Sequence, residues 1–549
     1  MRKRYAHIFV SLLVCATISA HDTVYVSGAV DHSGLLDWTP VMYHSNSYLD
    51  LSVHYVNDSN NARFRELRAT TRLELTQWPL PGYEADFAGH GIGHLSVAST
   101  FDWGEITIGD VYGQFGSGFI LNLYEDRGLG VDGALRGAKI QATPYKGIHL
   151  TALGGKQRRY WNCYRDSAWG WNYNRDAALG ADAEFQIEQW SPAMQAKDIG
   201  LTIGGSWVSK YEADDVVQVI TEDKIYRYNF PKWVGAADVR TALRVKDFDM
   251  LVEYARKAND PCVENEFRYD DGDALFISAG YSRKDLSVLA QFKRSYNMSF
   301  RSERLRNGLA GRLNNMPAFA TQHTYALAAL YPYATQYTQG EMAFQTEIRY
   351  TWPRKTMLGG PYGTTLKLSA AHIRGLSSDG AWTIDTTPAG EFYTDVNIEL
   401  NKRISKQWWL NAMLMYQNYN RQVMEGKGSF VRSGIAVIDT RVQVNKNVSM
   451  RGELQYLYSP DYKGQWIFAL YELNLYHHWT ISGEWMYNIG HAPDATNEHF
   501  YTAALTYTHG AHRAMLGYTK TQEGYHCAGG VCRYVPQQKG LCVNYSCTW

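Results

Sequence analysis

The chain has 549 residues, and its 54 basic and 54 acidic side chains balance, so it carries no net charge that would attract nucleic acid. Its length alone would suggest roughly three or four globular domains, yet no Pro/Ser-rich linker and no charge block divides it. The 40 Tyr and 17 Trp residues and a mean hydropathy of −0.38 are typical of a membrane β-barrel, in which aromatic residues ring both interfaces and half of every strand is polar.

Residues 1–20 have the layout of a secretory signal peptide. Three basic residues at positions 2–4 precede an apolar run over 8–14, and the small-residue pattern that follows predicts cleavage after Ala20. Residues 21–549 contain no uncharged apolar run of about 18 residues, so they offer no transmembrane helix. If they enter a membrane, they must do so as a single closed barrel domain.

Strict alternation of apolar and charged side chains recurs along the chain and predicts strands with one dry and one wet face. Positions 65–75 show this pattern, and so do 342–350 and 448–456. A charge pointing into lipid at the bilayer midplane would cost about 2–4 kcal/mol, so we predict that the charged faces line the lumen. The candidate lumen-lining residues are Arg68, Arg72, Glu74, Glu347, Arg349, Arg451 and Glu453.

The connections between strands alternate in length. Short turns are predicted at 144–147, 245–247, 283–285, 445–447, 477–479 and 510–511, and long polar loops at 157–177, 209–233, 257–272 and 417–433. Starting from a first strand near Thr23–Val30, we count about 24 strands, within a range of about 20 to 26. The fold class is therefore all-β: a transmembrane antiparallel β-barrel with short periplasmic turns and long extracellular loops.

One segment breaks this alternation. The pattern over His323–Tyr331 is that of a strand, yet counting it would put the neighbouring turns on the wrong side of the membrane. We therefore expect residues 301–339 to form a long loop that inserts into the lumen.

The chain ends on a strand pattern whose last residue is aromatic. The alternate positions Leu541, Val543, Tyr545, Cys547 and Trp549 resemble the C-terminal signal that the barrel-assembly machinery reads in outer-membrane proteins. We predict that they serve as this signal, with Cys547 facing lipid and Cys542 facing the lumen.

Several passages resemble a family of outer-membrane barrels found in Bacteroidota-type bacteria. They are residues 109–118, 124–127, 129–132, 322–325, 330–336 and 529–533. The resemblance implies an envelope location and a porin-like body. It implies no substrate, because the family has no assigned activity.

Opposite charges follow a glycine-rich stretch at 113–118. No Lys stands at the P-loop position, so we interpret the glycines as a close backbone approach rather than a phosphate site. The candidate constriction residues are Glu125, Asp126, Arg127 and Arg136, which inside a lumen would create a transverse field that sorts polar solutes. The alternative is a solvated extracellular loop.

The remaining cysteines and histidines predict little chemistry. Cys527 and Cys532 can form a disulfide in an oxidising compartment, and Cys163 with Cys262 is a second candidate pair. His90 and His94 have the spacing of a helical zinc pair, but Gly91 and Gly93 between them argue against a helix. We therefore expect no metal site. No Ser/His/Asp set is legible, and we expect neither an enzyme nor a cofactor.

These patterns predict a porin-like channel in the bacterial outer membrane for passive or weakly selective passage of small polar solutes. The alternative is a non-conducting structural or accessory barrel that partners an envelope transport or secretion complex. A TonB-dependent transporter is not expected, because the first strand leaves no room for an N-terminal plug domain. The expected partners are outer-membrane lipid and the barrel-assembly machinery, with another envelope protein under the alternative and no nucleic acid.

Overall fold

The computed structural model describes residues 22–38, 41–57, 63–161, 172–173, 176–213, 217–220, 225–306, 308–377, 382–490, 494, 496–528 and 531–549. The predicted signal peptide, Cys163 and residues 529–530 of one family motif lie outside these ranges. Among the residues described, no helix is long and apolar enough to cross a lipid bilayer.

The described residues form a closed antiparallel β-barrel with 24 wall strands, which confirms the predicted fold class and strand count. The strands are β1 (Asp22–Trp38), β2 (Val41–Asn57), β3 (Phe64–Thr76), β4 (Gly89–Phe101), β5 (Gly104–Val111), β6 (Leu135–Tyr145), β7 (Ile148–Arg159), β8 (Ala177–Gln186), β9 (Ile199–Tyr211), β10 (Trp233–Val245), β11 (Phe248–Lys257), β12 (Gly272–Arg283), β13 (Leu286–Tyr296), β14 (Glu341–Trp352), β15 (Thr364–Gly375), β16 (Glu391–Arg403), β17 (Trp408–Asn420), β18 (Phe430–Asn445), β19 (Val448–Tyr458), β20 (Gln465–Leu475), β21 (Trp479–Gly490), β22 (His499–His509), β23 (His512–Thr521) and β24 (Gln538–Thr548).

Neighbouring strands pair in chain order, and β1 pairs with β24 to close the wall. This last seam runs from Asp37 opposite Gly540 to Ala29 opposite Thr548. The first strand is longer than the predicted stretch Thr23–Val30, because it pairs with β2 along its whole length. Full pairing leaves no exposed sheet edge, as a membrane wall requires.

The two ends of the barrel differ in the length of their connections, as predicted. At the short-turn end, two-residue turns such as 246–247 and 510–511 join neighbouring strands. Two connections at this end, 187–198 and 353–363, are longer than the short turns that are typical of it, and the first holds two short helices. The opposite, long-loop end carries the longer connections, among them 297–340 between β13 and β14.

The outer face of the wall is apolar, and aromatic side chains stand near its two ends. Along β3, Leu67, Leu73 and Leu75 are exposed on this face, since successive side chains alternate across a strand. Exposed Trp233 lies near the long-loop end and Trp479 near the short-turn end. This is the apolar band with aromatic girdles of a transmembrane barrel.

On the inner face, exposure changes along the strands. Glu341, where β14 leaves the long-loop end, is 0% exposed, whereas the side chain of Arg349 further along the same strand is 55% exposed. On β10, Arg240 is buried and Arg244 is exposed in the same direction. The interior is therefore filled in its long-loop half and open in its short-turn half, which we call the vestibule.

Two inward connections fill the long-loop half, and we call them together the plug: residues 112–134 between β5 and β6, and residues 297–340. Their apolar side chains are among the least exposed of the described chain. Phe119, Leu313 and Met316 are each 0% exposed. They belong to one apolar cluster with inward side chains of the wall, so the principal core lies inside the barrel.

The other elements are short and lie in the connections. The helical turns are Ala85–Phe87, Ile187–Trp190, Pro192–Ala196, Val263–Asn265, Pro388–Gly390 and Arg421–Glu425. The short strands are Gly113–Phe115, Leu121–Leu123, Glu125–Asp126, Val131–Asp132, Asn172–Tyr173, Gln218–Ile220, Ile225–Arg227, Gly524–Ala528 and Val531–Val535. The last two form a hairpin between β23 and β24, which we call the lid hairpin.

Candidate functional site: the interior of the barrel

The two plug segments bind each other and form one body. Asn122 N in the first segment donates to Leu313 O in the second at 2.8 Å. The side-chain amide of Asn314 donates to Phe119 O at 2.8 Å. Buried backbone groups need such partners, so polar contacts reinforce the apolar packing between the segments.

The glycine-rich turn of the plug closes around Glu253, an inward carboxylate on β11. Ser117 N and Oγ donate to Glu253 Oε2 at 2.9 and 2.6 Å. Gly116 has a φ of 49°, and a Cβ at this position would stand 2.5 Å from Glu253 Oε1. The glycine therefore allows both the left-handed backbone and the close approach to the carboxylate.

Ion pairs bind the rest of the first plug segment to the wall. Arg127 binds Asp31 and Asp50 at 2.6 Å each. Glu125 binds Arg72 on β3 at 2.6 Å, and Arg72 also binds Asp50 at 2.8 Å. Charges of alternating sign thus join the plug to strands β1–β3, and Glu125 and Arg127 lie inside the barrel.

A second ionic contact joins the plug to β7. Arg158 binds both Glu74 and Asp132 at 2.6 Å, and all three side chains are buried. Burial alone would raise the pKa of Asp132, but the guanidinium groups of Arg158 and Arg72 hold it below its ordinary value. Asp132 therefore stays ionised and ties the end of the first plug segment to the wall.

The other two predicted constriction residues have different positions. Arg136 is not a loop residue: it is the second residue of β6 and forms an ion pair with Asp110, its partner on β5. The prediction for Arg136 is wrong because β6 already begins at Leu135. Asp126 lies in the plug, where its carboxylate accepts a hydrogen bond from Leu129 N at 2.9 Å and supports a turn.

The predicted lumen-lining residues divide between the two halves of the interior. Three are at most 7% exposed in the filled half: Arg72, Glu74 and Glu453. Three lie in the vestibule: Arg68, Glu347 and Arg349. Arg451 lies between the halves and binds Asp439, Glu453 and Glu472 at 3.1, 2.5 and 3.5 Å.

Glu264, in the connection between β11 and β12, anchors the second plug segment. It binds Arg301 at 2.8 Å and also binds Arg312. Burial alone would raise the pKa of Glu264, but Arg312 and Arg301 lower it to about 2. The carboxylate is therefore ionised at neutral pH and bridges two plug arginines.

The segment His323–Tyr331, which has the sequence pattern of a strand but is expected to be part of a loop, is a run of turns that lies against the inner face of β16–β19. His323 Nε2 contacts Asp395 Oδ2 on β16 at 2.5 Å. Leu327 N donates to Gln455 Oε1 on β19 at 2.8 Å. Inward side chains of the wall thus pair with polar groups of this segment, a role that a neighbouring strand would have in a sheet.

Two cavities lie along this side of the plug. The first, the upper cavity, measures about 390 Å³ and lies between the plug, the lid hairpin and strands β20–β23. The second, the lower cavity, measures about 580 Å³ and opens among the vestibule ends of β16–β20. Plug residues 321–323 line the upper cavity and Tyr325 lines the lower one, so the same turn borders both.

The lid hairpin covers the plug at the long-loop end. Cys527 and Cys532 form a disulfide across it. Val531 packs against Leu129 and Val131 of the first plug segment. The other described cysteines are free thiols: Cys262, Cys542 and Cys547.

The last strand has the alternation that the sequence predicts. Leu541, Val543, Tyr545 and Cys547 share the outer face of β24, opposite Cys542, and Cys547 is largely covered by its neighbours. Trp549 pairs through its backbone with Gly28 at 3.0 Å. Its use as an assembly signal stays a prediction.

Three anchoring residues, Arg158, Glu253 and Glu264, are missing from the sequence-based predictions. Glu253 meets Ser117 across 136 positions, and Arg158 meets Glu74 across 84. The alternation of side chains along the strand could have placed Glu253 on the inner face. The sequence around Glu253, however, gives no indication that its partner is Ser117. Within the described residues, no group of three or more His, Cys, Asp or Glu side chains is placed to hold a metal ion.

The model of a family described as "Family of unknown function (DUF6029)" matches residues 31–549 of this chain. No curated protein sequence matches this chain. Among solved structures, the siderophore receptor PirA from Acinetobacter baumannii aligns with a TM-score of 0.45 at 10% identity, covering 96% of this chain and 80% of PirA. OccAB2 from Acinetobacter baumannii aligns with a TM-score of 0.36 at 9% identity, covering 97% and 99%. The P pilus usher (PapC) translocation pore aligns with a TM-score of 0.39 at 8% identity, covering 96% of this chain and 99% of the PapC chain. These are similarities of fold alone.

Proposed function

Since the chain belongs to the family of unknown function DUF6029, we infer its activity from its own interior, and we propose a restricted outer-membrane channel for small polar solutes. The observation that carries this proposal is the pair of cavities on either side of the plug turn at residues 321–325. Because the same turn borders both cavities, we propose that a solute moves from one to the other past this turn.

The size of the barrel supports a channel that is narrowed rather than open. A wall of 24 strands encloses far more space than its own inward side chains can fill. The plug fills the long-loop half, while charged side chains such as Arg68 and Arg349 remain exposed in the vestibule. Such a passage would admit small, hydrated solutes and exclude large ones.

Recording from planar bilayers tests the proposal. The full-length protein should give discrete current steps, and a variant in which residues 301–339 are replaced by a short Gly/Ser linker should give steps several times larger. The matched control shortens the connection 353–363 at the other end of the barrel, which should leave the step size unchanged. A folded, inserted protein that passes no current would contradict the proposal.

The second candidate is a non-conducting structural or accessory barrel that partners an envelope transport or secretion complex. It is favoured by the complete burial of plug residues such as Phe119 and Leu313, which shows that the plug has a packed apolar core. Such a barrel would pass no current in a planar bilayer and would co-purify stably with another envelope protein.

For the cellular setting, we propose an outer-membrane protein, exported by a signal peptide that is removed after Ala20 and inserted by the barrel-assembly machinery. Its apolar outer band supports a lipid environment. We propose a transport role, with no catalytic activity, cofactor or nucleic-acid partner. Membrane fractionation and N-terminal sequencing of the mature protein test the location and the cleavage site.

A further inference from the structure

The upper cavity has the size and composition of a site for a small organic molecule. Its volume of about 390 Å³ falls within the range of ligand pockets, about 300–1,000 Å³. The plug contributes Leu330 and Tyr333, and the wall contributes Phe468, Met486 and Phe500. Polar side chains such as Gln322, Thr502 and Lys520 stand beside these apolar ones, so the cavity offers both apolar contact area and polar groups that can select a ligand.

One carboxylate, Glu484 on β21, faces this cavity. Within the described chain, no side-chain hydrogen bond or ion pair to Glu484 is present, and the residue is exposed to the lumen. This distinguishes it from the neighbouring inward carboxylates. Asp395 contacts His323, and Glu472 binds Arg451.

Two charged neighbours act on Glu484 with opposite signs: Arg451 attracts it and Glu472 repels it. Arg451 is itself bound to Asp439, Glu453 and Glu472, and it forms no ion pair with Glu484 in the described chain. Lys520 also lines the cavity, but its ammonium binds Glu498 at 2.6 Å. His323 contacts Asp395 at 2.5 Å. A cation that enters the cavity therefore meets a carboxylate that no described residue holds in an ion pair, beside aromatic faces that also attract positive charge.

We infer that the upper cavity binds organic cations: an ammonium or guanidinium group carried on a compact apolar or aromatic body. The charged group would pair with Glu484, and the body would lie against Phe468 and Phe500. The inference rests on the proposed function, because the cavity lies on the route that a solute would take past the plug. It narrows the class of solute from small and polar to small and cationic.

Calorimetry on the purified full-length protein tests the inference with three probes of one shape: benzylamine, benzyl alcohol and benzoate at neutral pH. Benzylamine should bind about tenfold more tightly than benzyl alcohol, the factor expected for one charge-assisted hydrogen bond, and benzoate should bind most weakly. Glu484→Gln should remove the preference for the amine and leave binding of the alcohol unchanged. The matched control Glu347→Gln removes an inward carboxylate in the vestibule and should preserve the preference.

A second variant, Phe468→Ala, tests the apolar part of the site and should weaken all three probes together. Heat-modifiable migration on gels shows whether each variant is a folded barrel. Equal binding of amine and alcohol, or a preference that survives Glu484→Gln, would overturn the site. The outcomes separate the two proposals: binding that depends on Glu484 without conductance refutes the channel alone, and conductance without this preference refutes the site alone.

Discussion

Replacing Glu264 by Gln should release the second plug segment. In the structure, this one carboxylate binds Arg301 at 2.8 Å and also binds Arg312. Arg301 is only 2% exposed. The amide keeps the shape of the side chain but leaves two inward guanidinium groups without their counterion.

The magnitude follows from the ionisation of Glu264. Its pKa falls from an ordinary 4.5 to about 2, which corresponds to about 3 kcal/mol of preference for the ionised form. This agrees with the roughly 3–5 kcal/mol that breaking a buried ion pair costs. Because the folded-state pKa is lowered, the stabilisation is present above about pH 4.5 and is lost as the pH falls towards 2.

Single-channel recording measures the effect as the fraction of time that a barrel spends in a high-conductance state with the plug displaced. A loss of about 3 kcal/mol should raise the ratio of displaced to seated plug about a hundredfold. The same ratio should rise in the wild type on acidification from about pH 4.5 towards 2, and this rise should be weaker in Glu264→Gln.

Asp271→Asn is the matched control in the same connection. Asp271 binds Arg256 at 3.0 Å, but the two side chains are 48% and 68% exposed, so loss of this pair should have no measurable effect. If Glu264→Gln displaces the plug no more often than Asp271→Asn, the anchoring role assigned to Glu264 is wrong.

Three further changes test the packing of the interior, each read by thermal denaturation or limited proteolysis of the reconstituted protein. Gly116→Ala should destabilise the folded barrel by about 1–3 kcal/mol, because the new Cβ stands 2.5 Å from Glu253 Oε1 at a φ of 49°; an unchanged melting temperature would contradict the close approach. Phe119→Ala should cost about 3–5 kcal/mol because the ring is 0% exposed in the plug core, and a cost below about 1 kcal/mol would show that the core is loose. Replacing Cys527 and Cys532 by Ser should speed protease cleavage of the lid hairpin, since the disulfide that closes this short loop contributes about 2 kcal/mol; equal cleavage rates with and without reductant would refute this.

The wall of the barrel could be predicted from the sequence because its physics is local. In β3, the alternation of Leu73 and Leu75 with Arg72 and Glu74 fixes which face meets lipid, whatever the neighbouring strands are. The requirement that each strand cross the membrane once then gives the number of wall strands. It also shows that His323–Tyr331 cannot be a wall strand.

The sequence predicts an inserted loop over 301–339, but the contacts of the plug could not be predicted because they are not local. The sequence marks Glu125 and Arg127 as charged, but their partners Arg72 and Asp50 lie on strands many residues earlier. A charge-rich loop in solvent and one bound inside a lumen have the same composition. Arg136 shows the limit at short range: it would belong to the plug if β6 began only two residues later.

Liposome swelling with solutes of graded size tests the restricted channel most directly. Vesicles that hold the full-length protein should admit amino-acid-sized solutes and exclude oligosaccharides, and replacing residues 301–339 with a short linker should admit both. Entry of oligosaccharides through the full-length protein as fast as small solutes would contradict a plugged lumen. Exclusion of every solute would contradict a channel.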